Sequence, residues 1–187
     1  MITAAASRFR PLLTFLFCTG ARVGEAIDLD WADVDMQHCQ AVLRDTKNGD
    51  DRTVALTPRM VAAFAAIQGE REGRVFRKPG GDPYRSTNDT NRGAEGGQIK
   101  RVFASAVRAA GVTKHLTPHH CRHSWATWHY AVHRDPMLLR DEGGWRTISQ
   151  VERYAKIAPA NMKDEVLAFW GGVAKLVPSD TDNKVSA

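Results

Sequence analysis

The stretch Leu116-Thr-Pro-His-His-Cys-Arg-His123 is the most informative part of this sequence. Its Thr-Pro pair is typical of a helix start, because threonine caps a helix and proline fits its first turn. The helix predicted from there continues to about His133 and brings His119, Arg122 and His123 onto one face. Side chains of this kind on one face indicate a polar functional site, a metal site or ordinary packing, with His123 as the candidate core residue.

A metal site is the first alternative. His119 and His123 lie four residues apart, as zinc-binding histidines on a helix often do. The glutamate of the HExxH pattern is missing, and no third ligand is evident beyond the preceding His115. A metal-dependent nuclease that uses these three histidines therefore stays open, and it predicts that a chelator abolishes cleavage.

Three other stretches contain candidate site residues, and each also has an ordinary structural explanation. In Thr19-Gly-Ala-Arg-Val-Gly-Glu25, Arg22 and Glu25 lie one helical turn apart and are also compatible with a surface ion pair. In Thr46-Lys-Asn-Gly-Asp-Asp-Arg-Thr53, Lys47 lies at the tip of a predicted hairpin, where most lysines face solvent. The aromatic residues of Gly143-Gly-Trp-Arg-Thr-Ile-Ser-Gln-Val-Glu-Arg-Tyr154 are compatible with a hydrophobic core.

The hydrophobic periodicity and the turn residues predict a mostly helical α+β domain with a small antiparallel β-sheet near its N-terminal third. The predicted strands are Gln40–Asp45 and Arg52–Leu56, joined by the turn Asn48–Asp51, with a further short strand at Arg74–Phe76. Besides the helix after Pro118, helical segments are predicted around Leu12–Phe17 with a stop at Gly20, and at Arg22–Leu29, Pro58–Gln68, Ile99–Ala110, Pro136–Gly143, Ser149–Ile157 and Ala160–Trp170. Residues 1–175 are expected to form one domain, followed by a disordered tail at 176–187.

Composition limits the class of protein. The 187 residues carry a formal net charge of +5, with 43% hydrophobic and 25% charged residues, which is ordinary for one globular domain. The longest strongly apolar stretch, Leu12–Cys18, is far short of the roughly 18–20 residues that cross a bilayer. No secretory signal is evident, and three cysteines without CxxC spacing argue against a disulfide scaffold. A reducing compartment fits best.

Taken in chain order, the four stretches resemble the catalytic series of the tyrosine recombinases, the phage-integrase family of site-specific DNA recombinases. The resemblance extends from about Leu12 to Pro159, and Cys121 stands where the family usually has leucine. The matching positions are Arg22, Lys47, His119, Arg122, Trp145 and Tyr154, supported by Glu25 and His123.

The resemblance implies how the phosphate is held. Arg22 and Arg122 would clamp two non-bridging oxygens, because guanidinium groups form paired, charge-assisted hydrogen bonds that strengthen as negative charge develops. Glu25 would support this site. Trp145 occupies a position that is histidine in most members of the family, and its indole N–H can donate to a phosphate oxygen.

The resemblance also implies the chemistry. Tyr154 would be the nucleophile, with an unperturbed pKa of about 10, and His119 is the candidate group for its proton. Lys47 would be the acid for the departing 5′ oxygen. The product would be a 3′-phosphotyrosyl link that conserves the energy of the broken bond, and neither a metal nor a cofactor is expected.

The implied partner is duplex DNA, bound by a homotetramer that assembles through the C-terminal helix. The separate N-terminal core-binding domain of such enzymes is not expected within this chain. A bacterial cytoplasmic, nucleoid-associated integrase of a mobile element or prophage is the main prediction. The alternatives are a type IB topoisomerase-like relaxing activity and a non-catalytic DNA-binding module.

Overall fold

The computed structural model describes residues 1–44, 51–78, 80–85 and 95–172. Most of these residues are helical, and the expected mostly helical α+β class with a small antiparallel sheet is confirmed. The helices are α1 (Arg10–Thr19), α2 (Val23–Ile27), α3 (Pro58–Ala65), α4 (Glu95–Ala109), α5 (His119–His133), α6 (Pro136–Gly143), α7 (Ser149–Ile157) and α8 (Lys163–Trp170). Two short 3-10 turns, Ser7–Phe9 and Trp31–Asp33, complete the helical elements.

The sheet has three antiparallel strands in the order β1 (Val34–Asp35), β2 (Gln40–Leu43) and β3 (Arg52–Ala55). The predicted hairpin is confirmed, because β2 and β3 pair antiparallel from one end of β2 to the other. Strand β1 is absent from the sequence prediction, since two residues are too few to form a pattern. Residues 45–50 of the connection, including Lys47, lie outside the described residues.

Helix α5 forms the centre of the domain. It contacts α1, α6, α7 and α8, while α3 packs between α1 and α8. Helix α1 is apolar on nearly every side, so Leu13, Phe15 and Leu16 are buried. Because α1 and α5 both extend into the predicted site, this packing fixes two of the segments that supply site residues.

Capping residues explain where several helices begin and end. Gly20 ends α1 with a left-handed φ of 62°, a conformation that glycine adopts without a steric penalty. The Asp135 carboxylate accepts hydrogen bonds from the backbone N–H groups of Met137 and Leu138, which starts α6 at Pro136 as predicted. Thr57 caps α3 in the same way through Met60.

Some predicted boundaries are wrong. The predicted strand Arg74–Phe76 is reduced to an isolated bridge between Arg74 and Asp30. Helix α4 begins at Glu95, earlier than the predicted start, and α8 begins only at Lys163. Helices α2 and α3 are shorter than predicted.

None of the helices within the described ranges has the length and apolar character that a membrane crossing requires. The residues of the predicted tail, 176–187, lie outside the described part of the chain.

Candidate active site

The first part of the site is the junction between α1 and α2. A Cβ atom on Gly20 would lie 2.1 Å from a ring carbon of Trp125, so the glycine lets the end of α1 approach α5 closely. Arg22 follows in an extended conformation at the start of α2. The Glu25 carboxylate accepts hydrogen bonds from the Arg22 backbone N–H, at 2.8 Å, and from its guanidinium group. The predicted Arg22–Glu25 pair is therefore a structural part of the site.

Glu25 also binds an arginine that the sequence analysis did not identify. Arg52 on β3 donates from Nη2 to Glu25 Oε2 at 2.8 Å, and the two side chains are 10% and 4% exposed. Burial alone would raise the pKa of the Glu25 carboxyl. The charges of Arg52 and Arg22, and their hydrogen bonds, outweigh burial and lower this pKa to about 2. Glu25 is therefore ionised at neutral pH and holds both arginines in place.

The C-terminal end of α6 is a meeting point for three arginines. Its carbonyl groups carry the negative end of the helix dipole and need hydrogen-bond donors. Three consecutive carbonyls each accept from a different guanidinium: Glu142 O from Arg52 at 2.6 Å, Gly143 O from Arg122 at 2.6 Å, and Gly144 O from Arg22 at 3.3 Å. The two arginines predicted to clamp phosphate thus converge on one turn, together with Arg52.

Arg122 is the most buried of the predicted site residues that carry a charge, at 3% exposed. Its Nη1 atom donates to Gly20 O at 2.6 Å, which joins α5 to the end of α1. Burial and the nearby positive charges of Arg22 and Arg52 lower the pKa of Arg122 to about 9. The group keeps its charge at neutral pH, so it can bind an anion.

Trp145 covers this arginine. The Arg122 guanidinium lies 4.0 Å from the centroid of the Trp145 ring, within cation–π distance. A Cβ atom on Gly143 would lie 1.9 Å from the same ring, so the glycine makes room for the indole. The ring also stacks on Trp125 at 6.2 Å and approaches the Tyr154 ring at 5.7 Å.

Tyr154, on α7, is buried at 3% exposed. Its hydroxyl lies 2.7 Å from Nδ1 of His123. Burial raises the pKa of the Tyr154 phenol, and the positive charges of Arg153 and Arg122 partly oppose this. His123, predicted as a supporting or core residue, is in direct contact with the predicted nucleophile.

His119 lies beside this pair. Its ring packs edge-to-face on His123, with 4.5 Å between ring centroids, and its side chain is exposed. Burial of part of the ring, and the charge of Arg122, lower the pKa of His119. No hydrogen bond from His119 to Tyr154 is found among the described residues, so the proton-transfer role stays a prediction.

The structure thus brings together six of the eight predicted residues around the end of α6 and the face of α5, with His119 at the edge and Lys47 outside the described part of the chain. Arg52 was missed because its partner, Glu25, is distant in sequence. The one feature of the sequence that pointed to Arg52 was its position in a strand of the predicted hairpin. A polar pair also missed, His129 and Glu142, lies nearby with 2.8 Å between Nε2 and Oε2.

The histidines of α5 do not form a metal-binding group within the described residues. Within residues 1–44, 51–78, 80–85 and 95–172, no group of three or more His, Cys, Asp or Glu side chains is positioned to hold a metal ion. The alternative that uses His115, His119 and His123 as ligands therefore has no such cluster to support it. Cleavage in the presence of a chelator is the direct test of that alternative.

Comparisons with known proteins show which family the chain resembles. The tyrosine recombinase XerD of Mycobacterium leprae (strain TN) is 30% identical over 171 residues, which cover 88% of this chain and 52% of that protein. The chain thus spans about half the length of this relative. The crystal structure of XerA recombinase matches with a TM-score of 0.69 and 22% identity, over 89% of this chain and 60% of that chain.

A further solved structure is that of the Tn1549 transposon integrase in complex with transposon right end DNA, with a TM-score of 0.59 and 19% identity over 86% of this chain and 58% of that chain. At these identities the two solved structures establish the fold alone. The model of the phage integrase family matches residues 1–161, which include the two arginines that meet at the end of α6 and the buried tyrosine beside them. The chain belongs to the phage integrase family.

Proposed function

We propose that residues 1–175 form the catalytic domain of a site-specific DNA recombinase, which breaks and rejoins strands through a 3′-phosphotyrosyl intermediate. The observation that carries the proposal is the convergence of Arg22 and Arg122 on one turn, with Tyr154 against the Trp145 ring beside it. Family membership adds support, because the six residues follow the order of the family's catalytic series, with tryptophan at the position that is histidine in most members. The proposed reaction uses no metal and no cofactor.

The arginines would bind the scissile phosphate. Arg22 and Arg122 donate to backbone carbonyls, which carry only partial negative charge. A phosphodiester oxygen carries more charge and binds a guanidinium more strongly. As the oxygen of Tyr154 attacks, charge on the non-bridging oxygens grows, and these hydrogen bonds strengthen. Trp145 would donate its indole N–H to the phosphate and shield the site from water.

The transfer step exchanges one phosphodiester bond for another. The phosphorus forms a bond to Oη of Tyr154 and loses its bond to the 5′ oxygen, which takes a proton from Lys47. A free 5′-hydroxyl can reverse the step without an external energy source, because the number and kind of bonds are conserved. This balance suits cutting and rejoining better than hydrolysis. By the resemblance, His119 on the exposed side of the site would take the proton of Tyr154.

Duplex DNA is the proposed partner. The Tn1549 transposon integrase, which shares this fold, was solved in complex with transposon right end DNA. The chain's net charge of +5 is compatible with a polyanion. We propose that this chain acts on the DNA of a mobile element or prophage, at the nucleoid in a bacterial cytoplasm.

We also propose a homotetramer on DNA that assembles through the C-terminal helix. In the single chain, α8 packs on its own α3 and α5, and Val166 and Trp170 are buried there. Leu167 is only partly buried and leaves a side of α8 available to a neighbour. Leu167→Asp is expected to weaken assembly on DNA at least tenfold. A variant that assembles as well as the parent would contradict this role of α8.

Covalent trapping tests the proposed reaction. The chain is mixed with nicked suicide duplexes drawn from DNA that flanks its own gene, with a chelator present throughout. Denaturing gels then show whether labelled DNA remains attached to protein. An adduct that forms with chelator and is lost in Tyr154→Phe is the expected result, since only the hydroxyl is removed.

Other outcomes identify the alternatives. Cleavage that chelator abolishes, without an adduct, would indicate a metal-dependent nuclease. Stable binding to an authentic site without any adduct would indicate a non-catalytic DNA-binding module. Relaxation of supercoiled plasmids without a preferred site would indicate a type IB topoisomerase-like activity.

A further inference from the structure

The hydroxyl of the proposed nucleophile contacts a histidine other than the one that the motif indicates. His123 Nδ1 lies 2.7 Å from Oη of Tyr154, while His119 contacts His123 through its ring. We propose that His123 accepts the proton of Tyr154 as the phenolic oxygen attacks the phosphate. This proposal rests on the proposed function and assigns a catalytic residue within it.

The charges around His123 keep its ring neutral. Its neighbours are His119, His120 and Arg122 on α5, and Arg153 and Tyr154 on α7. Partial burial and the positive charges among these groups lower the pKa of His123 to about 4, so the ring is neutral at neutral pH. A neutral imidazole carries one proton on either ring nitrogen. With that proton on Nε2, unprotonated Nδ1 accepts the hydrogen bond that the phenol donates over 2.7 Å.

Bound DNA would make His123 a stronger base. A phosphodiester held by Arg22 and Arg122 brings a negative charge to the cluster of cations that lowers the pKa of His123. This charge favours the protonated imidazole, so the pKa of His123 rises, although the lowering that comes from burial remains. The acceptor thus becomes effective when substrate is present, which is when proton transfer is needed.

In the complete step, one bond forms as another breaks, and each proton has a donor and an acceptor. The Oη–phosphorus bond forms while the phosphorus–5′ oxygen bond breaks. The phenolic proton moves to Nδ1 of His123, and Lys47 gives a proton to the 5′ oxygen. In rejoining, both proton movements reverse, and His123 returns its proton to Tyr154. Exposed His119 stays free to donate to the phosphate, so the two histidines have separate tasks.

The rate of adduct formation against pH tests this role in the full chain, with His123→Asn and His123→Ala compared with His119→Ala. Asparagine keeps a hydrogen-bond acceptor but takes no proton. Both His123 variants are expected to react about 10²-fold more slowly at pH 7. Their rates should rise about tenfold per pH unit toward the pKa of the phenol, because only spontaneously ionised tyrosine then reacts. His119→Ala should lower the rate without this slope.

Two results would overturn the proposal. His123 variants that react as fast as the parent, or faster, would make the contact a latch that restrains Tyr154. Variants that are slower but have the parent's pH profile would make His123 a structural residue. Melting temperatures of the three variants, measured alongside, identify any loss of folding, and His123→Asn is the variant least prone to it.

A measurement without catalysis separates failure of this inference from failure of the proposed function. Nitrogen-15 chemical shifts of the His123 ring in the DNA-free parent report which nitrogen carries the proton. The expected form at pH 7 has hydrogen on Nε2 and an acceptor at Nδ1. A proton on Nδ1 would refute the inference even if the adduct forms, whereas an adduct that never forms would refute the proposed function.

Discussion

Glu25 shows how a single buried charge organises this site. Its carboxylate joins Arg22 to Arg52, and its side chain is only 4% exposed. A buried carboxylate between two guanidinium groups is stabilised in its ionised form, whereas removal of the carboxylate leaves two cations facing each other. The charge of Glu25 is therefore required for stability as well as for the orientation of Arg22.

Glu25→Gln is expected to lower the free energy of unfolding at pH 7 by about 3 kcal/mol, from the shift of the pKa between 4.5 and about 2. Because the folded-state pKa is the lower one, this contribution is present above about pH 4.5 and is lost as the pH falls toward about 2. Urea unfolding across this range measures it. Parent and variant that lose stability with the same pH dependence would contradict the prediction.

A surface pair provides the control for this experiment. Asp33 accepts two hydrogen bonds from Arg44, whose side chain is 62% exposed. Solvent screens such a pair, so Asp33→Asn should change stability far less than Glu25→Gln.

Gly143 is a second residue with a specific steric task. An added methyl group would overlap the Trp145 ring, so Gly143→Ala should displace the indole from Arg122 and slow adduct formation more than tenfold. The smaller imidazole of Trp145→His should relieve the overlap. The double variant is therefore expected to lose less from Gly143→Ala than the parent does, and equal losses in both backgrounds would refute the steric explanation.

At the scale of elements, the end of α6 acts as an anchor for β3, α5 and the start of α2. Arg52 makes two of these connections, to Glu25 and to the Glu142 carbonyl. Arg52→Met is expected to cost about 3–5 kcal/mol in the free energy of unfolding, because it breaks a buried ion pair. Arg52→Lys keeps the charge but loses the fork of donors, so its cost should be intermediate. Chemical denaturation measures both. A lysine variant as stable as the parent would assign the effect to charge alone, and equal costs would assign it to the fork of donors.

Elements with local start and stop signals could be predicted from the sequence. The left-handed Gly20, the Asp135 cap and the Thr57 cap each act within four residues, and the helices that they limit are confirmed there. The short strand β1 has no such signal, because two residues form no pattern and its pairing with β2 depends on tertiary context.

The same distinction between local and long-range information applies to the candidate site. The order of the site residues resembles a known series, so their identity could be predicted. Contacts between distant segments could not, because spacing along one chain carries no information about them. Arg52 with Glu25 and His123 with Tyr154 are both contacts of this kind.

At the scale of the whole molecule, α8 packs against α3 and α5 of its own chain. Arg59 of α3 donates to the Phe169 carbonyl and lies 4.6 Å over the Phe169 ring. The Phe169 ring also meets Trp128 of α5 at 5.2 Å. These contacts hold α8 on its own chain.

Trp170 provides the largest buried side chain of this contact. Variants at this position distinguish the contribution of apolar packing from that of hydrogen bonding. Trp170→Ala is expected to lower the free energy of unfolding by about 3–5 kcal/mol, because it empties a buried indole site. The indole N–H has no hydrogen-bond partner among the described residues. Trp170→Phe should therefore cost much less, since it keeps most of the ring and removes an unsatisfied donor. Urea unfolding of both variants measures the difference, and equal costs would mean that the indole N–H contributes more than packing does.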